Sequence, residues 1–275
     1  MRLRDECDTG NVASCFQFAE RLQKGQQVLR DDKMAVSLFE KACEGGEAKG
    51  CASLGLALQR GRGIKRDSAR AVKLFEQGCE RGALNGCTRL GTLYKQGVNV
   101  PLDLPLAVTL FEKACTGGDQ PGCAQLGLLL ASGNGVPTDE ARALTLFKKA
   151  CDDTVALGCL GLGELYASGK AVQRNDSIAV SLFDKSCDGN EMEGCYRLGL
   201  AYESGQGATA RFDRASWLYR EACENRHGLS CARLAGLYGR GAGVYRDAQA
   251  EKEYRKLACQ YGVKEECPKP SGAAS

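Results

Sequence analysis

The sequence predicts an all-α fold, an α-α solenoid of seven 36-residue helix-turn-helix repeats closed by a half repeat. Three observations carry this. The 16 cysteines fall in eight C-x7-C pairs, and the first members recur every 36 residues from Cys7 to Cys259 without insertion or deletion. Apolar and small residues recur at helical spacing after each pair, and a glycine column recurs where the first helix must end. A fixed period of this length marks stacked supersecondary units, none of which can bury its apolar face alone. Counted from the first cysteine, the full repeats span 7–42, 43–78, 79–114, 115–150, 151–186, 187–222 and 223–258. A half repeat over 259–267 and a tail over 268–275 complete a single domain covering residues 1–275.

Within a repeat the elements follow in order. Position 9 is always cysteine; position 12 is Phe18 or one of Leu54, Leu90, Leu126, Leu162, Leu198 and Leu234; position 13 is always glycine or alanine. With Leu22, Leu58, Tyr94, Leu130, Tyr166, Tyr202 and Tyr238 at position 16, the 9, 12, 13, 16 spacing draws one face of a helix. Small residues on that face admit a neighbouring helix. Position 19 is glycine in all seven repeats, from Gly25 to Gly241, as a helix end turning through positive φ requires. Several repeats add a second glycine, such as Gly63 and Gly135. That GxG follows a helix rather than a strand and lacks the lysine of a phosphate loop, so it reads as a turn.

A second helix begins near Asp31, Asp67, Asp103, Asp139 and Asp247, good N-cap or first-turn residues. Its apolar stripe is alanine at position 29 in six repeats, then pairs such as Leu38/Phe39, Leu74/Phe75 and Leu218/Tyr219. It ends at the next cysteine, so each repeat is an antiparallel helix pair.

Composition excludes several classes of function. The chain of 275 residues carries 37 Lys+Arg against 34 Asp+Glu, a net charge of +3, with the signs scattered and no basic run, which argues against nucleic acid and anionic membranes as partners. No stretch approaches the length of apolar residues that a membrane span needs. No cofactor is expected.

The cysteine pairs admit two readings. Zinc sites favour shorter cysteine spacings with histidines close by, and the lone His227 cannot serve eight sites. An even count with none left over favours a disulfide framework. Two residues eight apart in one helix would lie about 12 Å apart, beyond the roughly 4.4–6.8 Å that a bridge spans. If the pairs are bridged, the chain reverses between them, and each bridge staples the end of one helix to the start of the next. The expected pairs are then Cys7–Cys15, Cys43–Cys51, Cys79–Cys87, Cys115–Cys123, Cys151–Cys159, Cys187–Cys195, Cys223–Cys231 and Cys259–Cys267. Each short loop so closed contributes about 2–3 kcal/mol in the chain-entropy account. Such bridges imply an oxidising compartment, periplasmic or secreted. The N-terminus, MRLRDEC, has no apolar h-region, so a leader and part of a first helix are expected to precede this chain.

Leu90 to Cys123, LGTLYKQGVNVPLDLPLAVTLFEKACTGGDQPGC, resembles the Sel1-like repeat, a relative of the tetratricopeptide repeat, and the recurring pairs resemble its bacterial cysteine-rich branch. The resemblance covers about residues 7–267; Thr154 and Ala171 stand where glycine is usual, and Arg255 replaces the aromatic of the second helix. It implies a right-handed superhelix whose first helices line the inner surface and hold a protein or extended peptide, and a monomer is expected. It also implies, as an alternative, binding of a β-lactam or cell-wall peptide fragment with weak hydrolysis. The residues give that alternative no familiar machinery, since S-x-x-K, S-D-N, K-T-G and a histidine-rich zinc set are all absent. No catalytic residues are assigned, and no metal site is expected.

The better lead is the first-helix face at positions 7, 11, 14 and 18, which varies between repeats. Fixed positions pack; varying positions meet solvent or a partner. Its candidate partner-binding residues are Lys49, Arg60, Asn85, Arg89, Gln125, Leu128, Glu164, Arg197, Leu200 and Arg233. Arginine among apolar neighbours suits an extended, partly acidic peptide, against the plainer reading of a solvated face. Trp217 is a further candidate, an aromatic in a polar column whose alternative is to fill space in its own helix. His227 reads as an exposed residue after a cysteine, in the column of Asn11, Glu47 and Asp119.

Overall fold

A computed structural model describes residues 2–267, all in helices and their connections, with no strand among the described residues. The helices group into two compact units, residues 1–139 and 140–275.

The first unit contains α1 (Arg2–Asp8), α2 (Val12–Lys24), α3 (Asp32–Glu44), α4 (Ala48–Arg60), α5 (Ser68–Glu80), α6 (Leu84–Gln96), α7 (Leu104–Thr116) and α8 (Gln120–Ser132). After α1, every helix has 13 residues, and consecutive helices pack against each other. Starts are set by caps: Asp31, Asp67 and Asp103 accept the backbone N–H groups of Met34, Arg70 and Leu106, each cap contributing about 1 kcal/mol. Ends are set by Gly25, Gly61, Gly97 and Gly133, left-handed at φ of 64–68°. Gly63 is needed for a second reason. A Cβ there would lie 2.2 Å from the carbonyl oxygen of Asp32, so the GxG loop closes directly on the start of the preceding repeat's second helix.

Its core is the predicted stripe. Phe39, Phe75 and Phe111 are fully buried with Leu54, Leu58 and Leu90 around them. Glycine at position 13 makes room for the rings of Phe75 and Phe111, since a Cβ on Gly55 would stand 2.9 Å from Phe75 Cε1 and one on Gly91 2.8 Å from Phe111 Cε1; the first repeat, with Phe39, has Ala19 there. Size complementarity between positions 13 and 33 thus fixes how closely the two helices of a repeat approach.

The second unit contains α9 (Glu140–Asp152), α10 (Ala156–Ser168), α11 (Asp176–Asp188), α12 (Met192–Ser204), α13 (Phe212–Glu224), α14 (Gly228–Arg240) and α15 (Ala248–Gln260), then a 3-10 turn over Lys264–Glu266. Asn175 and Asp247 cap α11 and α15 in the same way, while Arg211 at the start of α13 makes no side-chain cap bond; Gly169, Gly205 and Gly241 are left-handed. Thr154 and Ala171, the departures from glycine, keep the left-handed backbone at φ of 62° and 58°. The fold imposes the turn even where the side chain disfavours it. Arg255, in place of an aromatic, reaches outward to ion pairs with Glu251 and Glu266.

All eight C-x7-C pairs are bridged, with Sγ–Sγ distances of 2.00–2.04 Å and Cα–Cα distances of 4.5–4.8 Å. Most bridges join the last turn of one helix to the first turn of the next. The tail over 268–275 lies outside the described residues.

Candidate functional site: the variable first-helix face

In the first unit, α4 presents Lys49 in its first turn and Arg60 at its last residue; α6 presents Asn85 and Arg89; α8 presents Gln125 and Leu128. Lys49, Arg60, Asn85 and Arg89 are exposed, while Gln125 and Leu128 are half-buried. Helix spacing puts positions 7, 11, 14 and 18 on one side because each is three or four residues from the next. Gln125 Oε1 accepts from Lys95 Nζ at 2.6 Å, bridging α6 and α8. The Arg89 guanidinium is pushed below its ordinary value by burial first and by the charge of Arg60 second, with Asp119 opposing. Asp119 is itself engaged, accepting from Thr88 Oγ1 at 2.7 Å and from the Gly122 N–H at 2.9 Å. Lys49, Arg60 and Arg89 make no ion pair among the described residues, so this face carries uncompensated positive charge.

The second unit treats the same columns differently. Arg197, on α12, pairs with Glu164 of α10 at 2.9 Å and with Glu193 of its own helix at 2.7 Å. Burial pushes the Glu164 carboxyl above its ordinary value, Glu193 adds to this, and Arg197 opposes it. Burial would also raise Glu193, but bonds from His227 and Arg197 outweigh it and leave the group below its ordinary value. Arg233 is exposed and makes no ion pair among the described residues, its guanidinium pushed above its ordinary value by the Tyr196 hydroxyl first, while Arg240 pairs with Glu203 at 3.0 Å. Leu200 is half-buried, packed against the cluster of Tyr196 and Tyr219. The charges of Arg197 and Arg240 are therefore consumed internally, and that of Arg233 is not.

His227 is a correction to the sequence reading. It is half-buried, not exposed: it caps α14, its Nδ1 accepting the Ser230 N–H at 3.3 Å, and its Nε2 lies 3.0 Å from Glu193 Oε2. Its column is the N-cap column, where Asn11, Glu47 and Asp119 offer the same acceptor. That shared role was the signal in the sequence. Ser230 Oγ sits 2.8 Å from His227 Nδ1, which completes a serine–histidine–glutamate sequence of contacts. Ser230 is fully buried, so no substrate carbonyl reaches its oxygen, and the trio is a cap and a hydrogen bond. Glu193, which joins His227 to Arg197, was not singled out in the sequence because His227, 34 residues on, meets it only in the folded chain, although Arg197 lies one turn away in its own helix.

Trp217 does not fill space in its helix. Its side chain is 51% exposed on α13, with the Arg214 guanidinium 5.7 Å from the ring centroid. It lies on a second helix, apart from the first-helix column. One cluster among the described residues has metal-ligand types, Cys187, Cys195 and Glu221, but the two sulfurs are bonded to each other and are not free to ligate.

The molecule is thus a repeat protein of disulfide-stapled antiparallel helix pairs with a variable first-helix face. It belongs to the Sel1 repeat family, whose profile matches residues 12–47, 48–82, 84–119, 120–154, 156–191, 193–227 and 228–250. A comparison with curated proteins gives no significant match. Among solved structures, the Sel1 repeat protein from Oxalobacter formigenes is similar at 25% identity and a TM-score of 0.67, over 79% of this chain and 89% of that one. The c5321 protein, described as a protective antigen of uropathogenic Escherichia coli with an SLR fold, is similar at 24% identity and a TM-score of 0.65 over 96% of this chain. This chain spans 57% of that protein's length. Helicobacter pylori cysteine rich protein B shares 35% identity over 47% of this chain and 93% of its own, at a TM-score of 0.39.

Proposed function

We propose that this chain is an extracytoplasmic, periplasmic or secreted scaffold that holds an extended acidic peptide segment of a partner protein on the first-helix face of residues 1–139. Sel1 repeats serve in protein–protein interaction, and eight bridges with no free cysteine among the described residues suit an oxidising compartment. The observation that carries the choice of face is that Lys49, Arg60 and Arg89 all lack an ion pair among the described residues, whereas of the three arginines in the same columns of residues 140–275, Arg197 and Arg240 are paired and only Arg233 is not. Arginines held apart from carboxylates lose little by accepting a partner's carboxylate, whereas Arg197 would have to surrender two existing pairs.

The test is fluorescence anisotropy with a labelled Asp/Ser peptide, comparing the wild type with Arg60→Glu plus Arg89→Glu and, separately, Arg197→Gln. The double reversal is expected to weaken binding by roughly tenfold or more at low salt, with the difference shrinking as salt screens exposed charge. Arg197→Gln should leave affinity near wild type. Equal affinity of the double variant, with helicity intact, would rule the face out. Alkylation without reductant should label none of the 16 cysteines in protein recovered from its host.

A further inference from the structure

The charge that meets each cysteine pair changes along the chain. Lys41 Nζ donates to the Cys7 carbonyl at 2.8 Å, and Lys113 Nζ to the Cys79 carbonyl at 3.0 Å, both from the position two residues before the next pair. Gln77 holds that position in α5, and Arg81 takes over the role. Its Nη1 donates to the Cys43 carbonyl at 2.9 Å and stands 3.5 Å from Cys51 Sγ, placing a guanidinium directly on a disulfide sulfur. In α13 the same position is Glu221. A carboxylate oxygen of Glu221 lies within 4.8 Å of both Cys187 Sγ and Cys195 Sγ, and its Oε2 is buried without a hydrogen-bond partner.

The bridge that carries the guanidinium also borders a cleft. A cavity of about 350 Å³ is lined by Cys43 and by Arg70, Lys73 and Arg81, with Glu40 and Glu44 on its walls. Arg70 is ion-paired with Glu40, which leaves Lys73 and Arg81 against Glu44 and a cleft of positive balance. We propose that Cys43–Cys51 is the reactive bridge of this chain, a site of thiol–disulfide exchange that admits a small carboxylate-bearing thiol through this cleft.

The entering thiolate attacks Cys43 Sγ, which is slightly exposed where Cys51 is fully buried. A bond forms between the two sulfurs, the Cys43–Cys51 bond breaks, and Cys51 Sγ leaves with the electron pair as a thiolate beside Arg81. A second thiol then displaces Cys43. Two thiols are oxidised to one disulfide, one cystine is reduced, and the two protons released by the thiols end on Cys43 and Cys51. A nearby cation speeds this because it stabilises the leaving thiolate and attracts the anionic attacker. Glu221 does the reverse at Cys187–Cys195.

Exposure alone would open other bridges before Cys43–Cys51, which makes the proposal testable. Cys43 is 5% exposed, against 8% for Cys187 and 9% for Cys151, and Cys115, Cys259 and Cys267 are half-buried and more exposed still. The full oxidised chain is incubated with reduced glutathione under native conditions, quenched with acid, alkylated and mapped by peptide mass spectrometry over time. The expected result is that Cys43–Cys51 opens before the more exposed Cys115–Cys123, Cys151–Cys159, Cys187–Cys195 and Cys259–Cys267, with glutathione first appearing on Cys43. Arg81→Gln should slow that step by roughly 3- to 10-fold and Arg81→Lys should restore much of it. Cysteamine, a cationic thiol of similar reactivity, should show a weaker preference for this bridge. Glu221→Lys, which installs the charge found at Lys41 and Lys113, should speed opening of Cys187–Cys195 and gives a check independent of any loosening by Arg81→Gln. Opening in the order of exposure, faster opening in Arg81→Gln, or no response to Glu221→Lys would each overturn the proposal.

Discussion

Replacing Gly199 with alanine tests the packing rule that sets the spacing of the helices. Gly199 lies at position 13 of α12, opposite Tyr219 of α13, and a Cβ there would stand 2.5 Å from Tyr219 Cε1, 2.9 Å from Cδ1 and 3.0 Å from Cζ. Ordinary carbon contacts are about 3.5–4.0 Å, so the ring must yield by roughly 1 Å. It has little freedom to do so. Tyr219 is fully buried, and its hydroxyl donates to Glu203 Oε2 at 2.8 Å, whose other oxygen holds Arg240. Overpacking costs about 1–3 kcal/mol, and loss of a hydrogen bond to a charged acceptor about 1.5–3 kcal/mol. Alanine recovers about 1 kcal/mol through helix propensity. Net destabilisation of roughly 1.5–5 kcal/mol is expected, read as a lowered urea midpoint by circular dichroism without reductant. In a Tyr219→Leu background the same change should cost far less. A neutral or stabilising Gly199→Ala would show that propensity, not ring clearance, governs this column, and the account of positions 13 and 33 would be refuted.

Thr154→Gly should stabilise the chain by about 0.5–1 kcal/mol, because a β-branched residue at φ of 62° is strained and glycine is not; a lowered melting temperature would contradict this. The Glu193 carboxyl should titrate below the ordinary glutamate value and that of Glu164 above it, as read by NMR of labelled carboxyl groups. The depressed group contributes stability that is complete above the unfolded value, about 4.3, and is lost as pH falls through its folded value. The raised group acts in the opposite sense, its contribution present at low pH and lost as pH rises through its folded value. Arg197→Gln should move both titrations upward, and an unchanged Glu164 midpoint would mean that the ion pair does not hold in solution.

The 36-residue period, the helix limits and the cysteine pairing are local properties, and the sequence alone determined them. Each is enforced by residues close in the chain: an aspartate three residues before the N–H that it caps, a glycine where φ must turn positive, two cysteines joined across one reversal. The buried columns were legible for the same reason, since burial in a repeat array follows helical spacing and repeats many times over. The variable face was legible as a location but not as a chemistry. Arg89 and Arg197 occupy the same position in their repeats, yet one stays unpaired and the other is neutralised by Glu164 and Glu193, because the partners come from neighbouring helices 33 residues away or from the helix's own preceding turn. The same holds for His227, read as exposed until Glu193 is brought against it, and for Arg81, whose place on a disulfide sulfur depends on a contact 30 residues back. Charge pairing depends on distance in space and on desolvation, so only the tertiary structure decided which cations remain available to a partner.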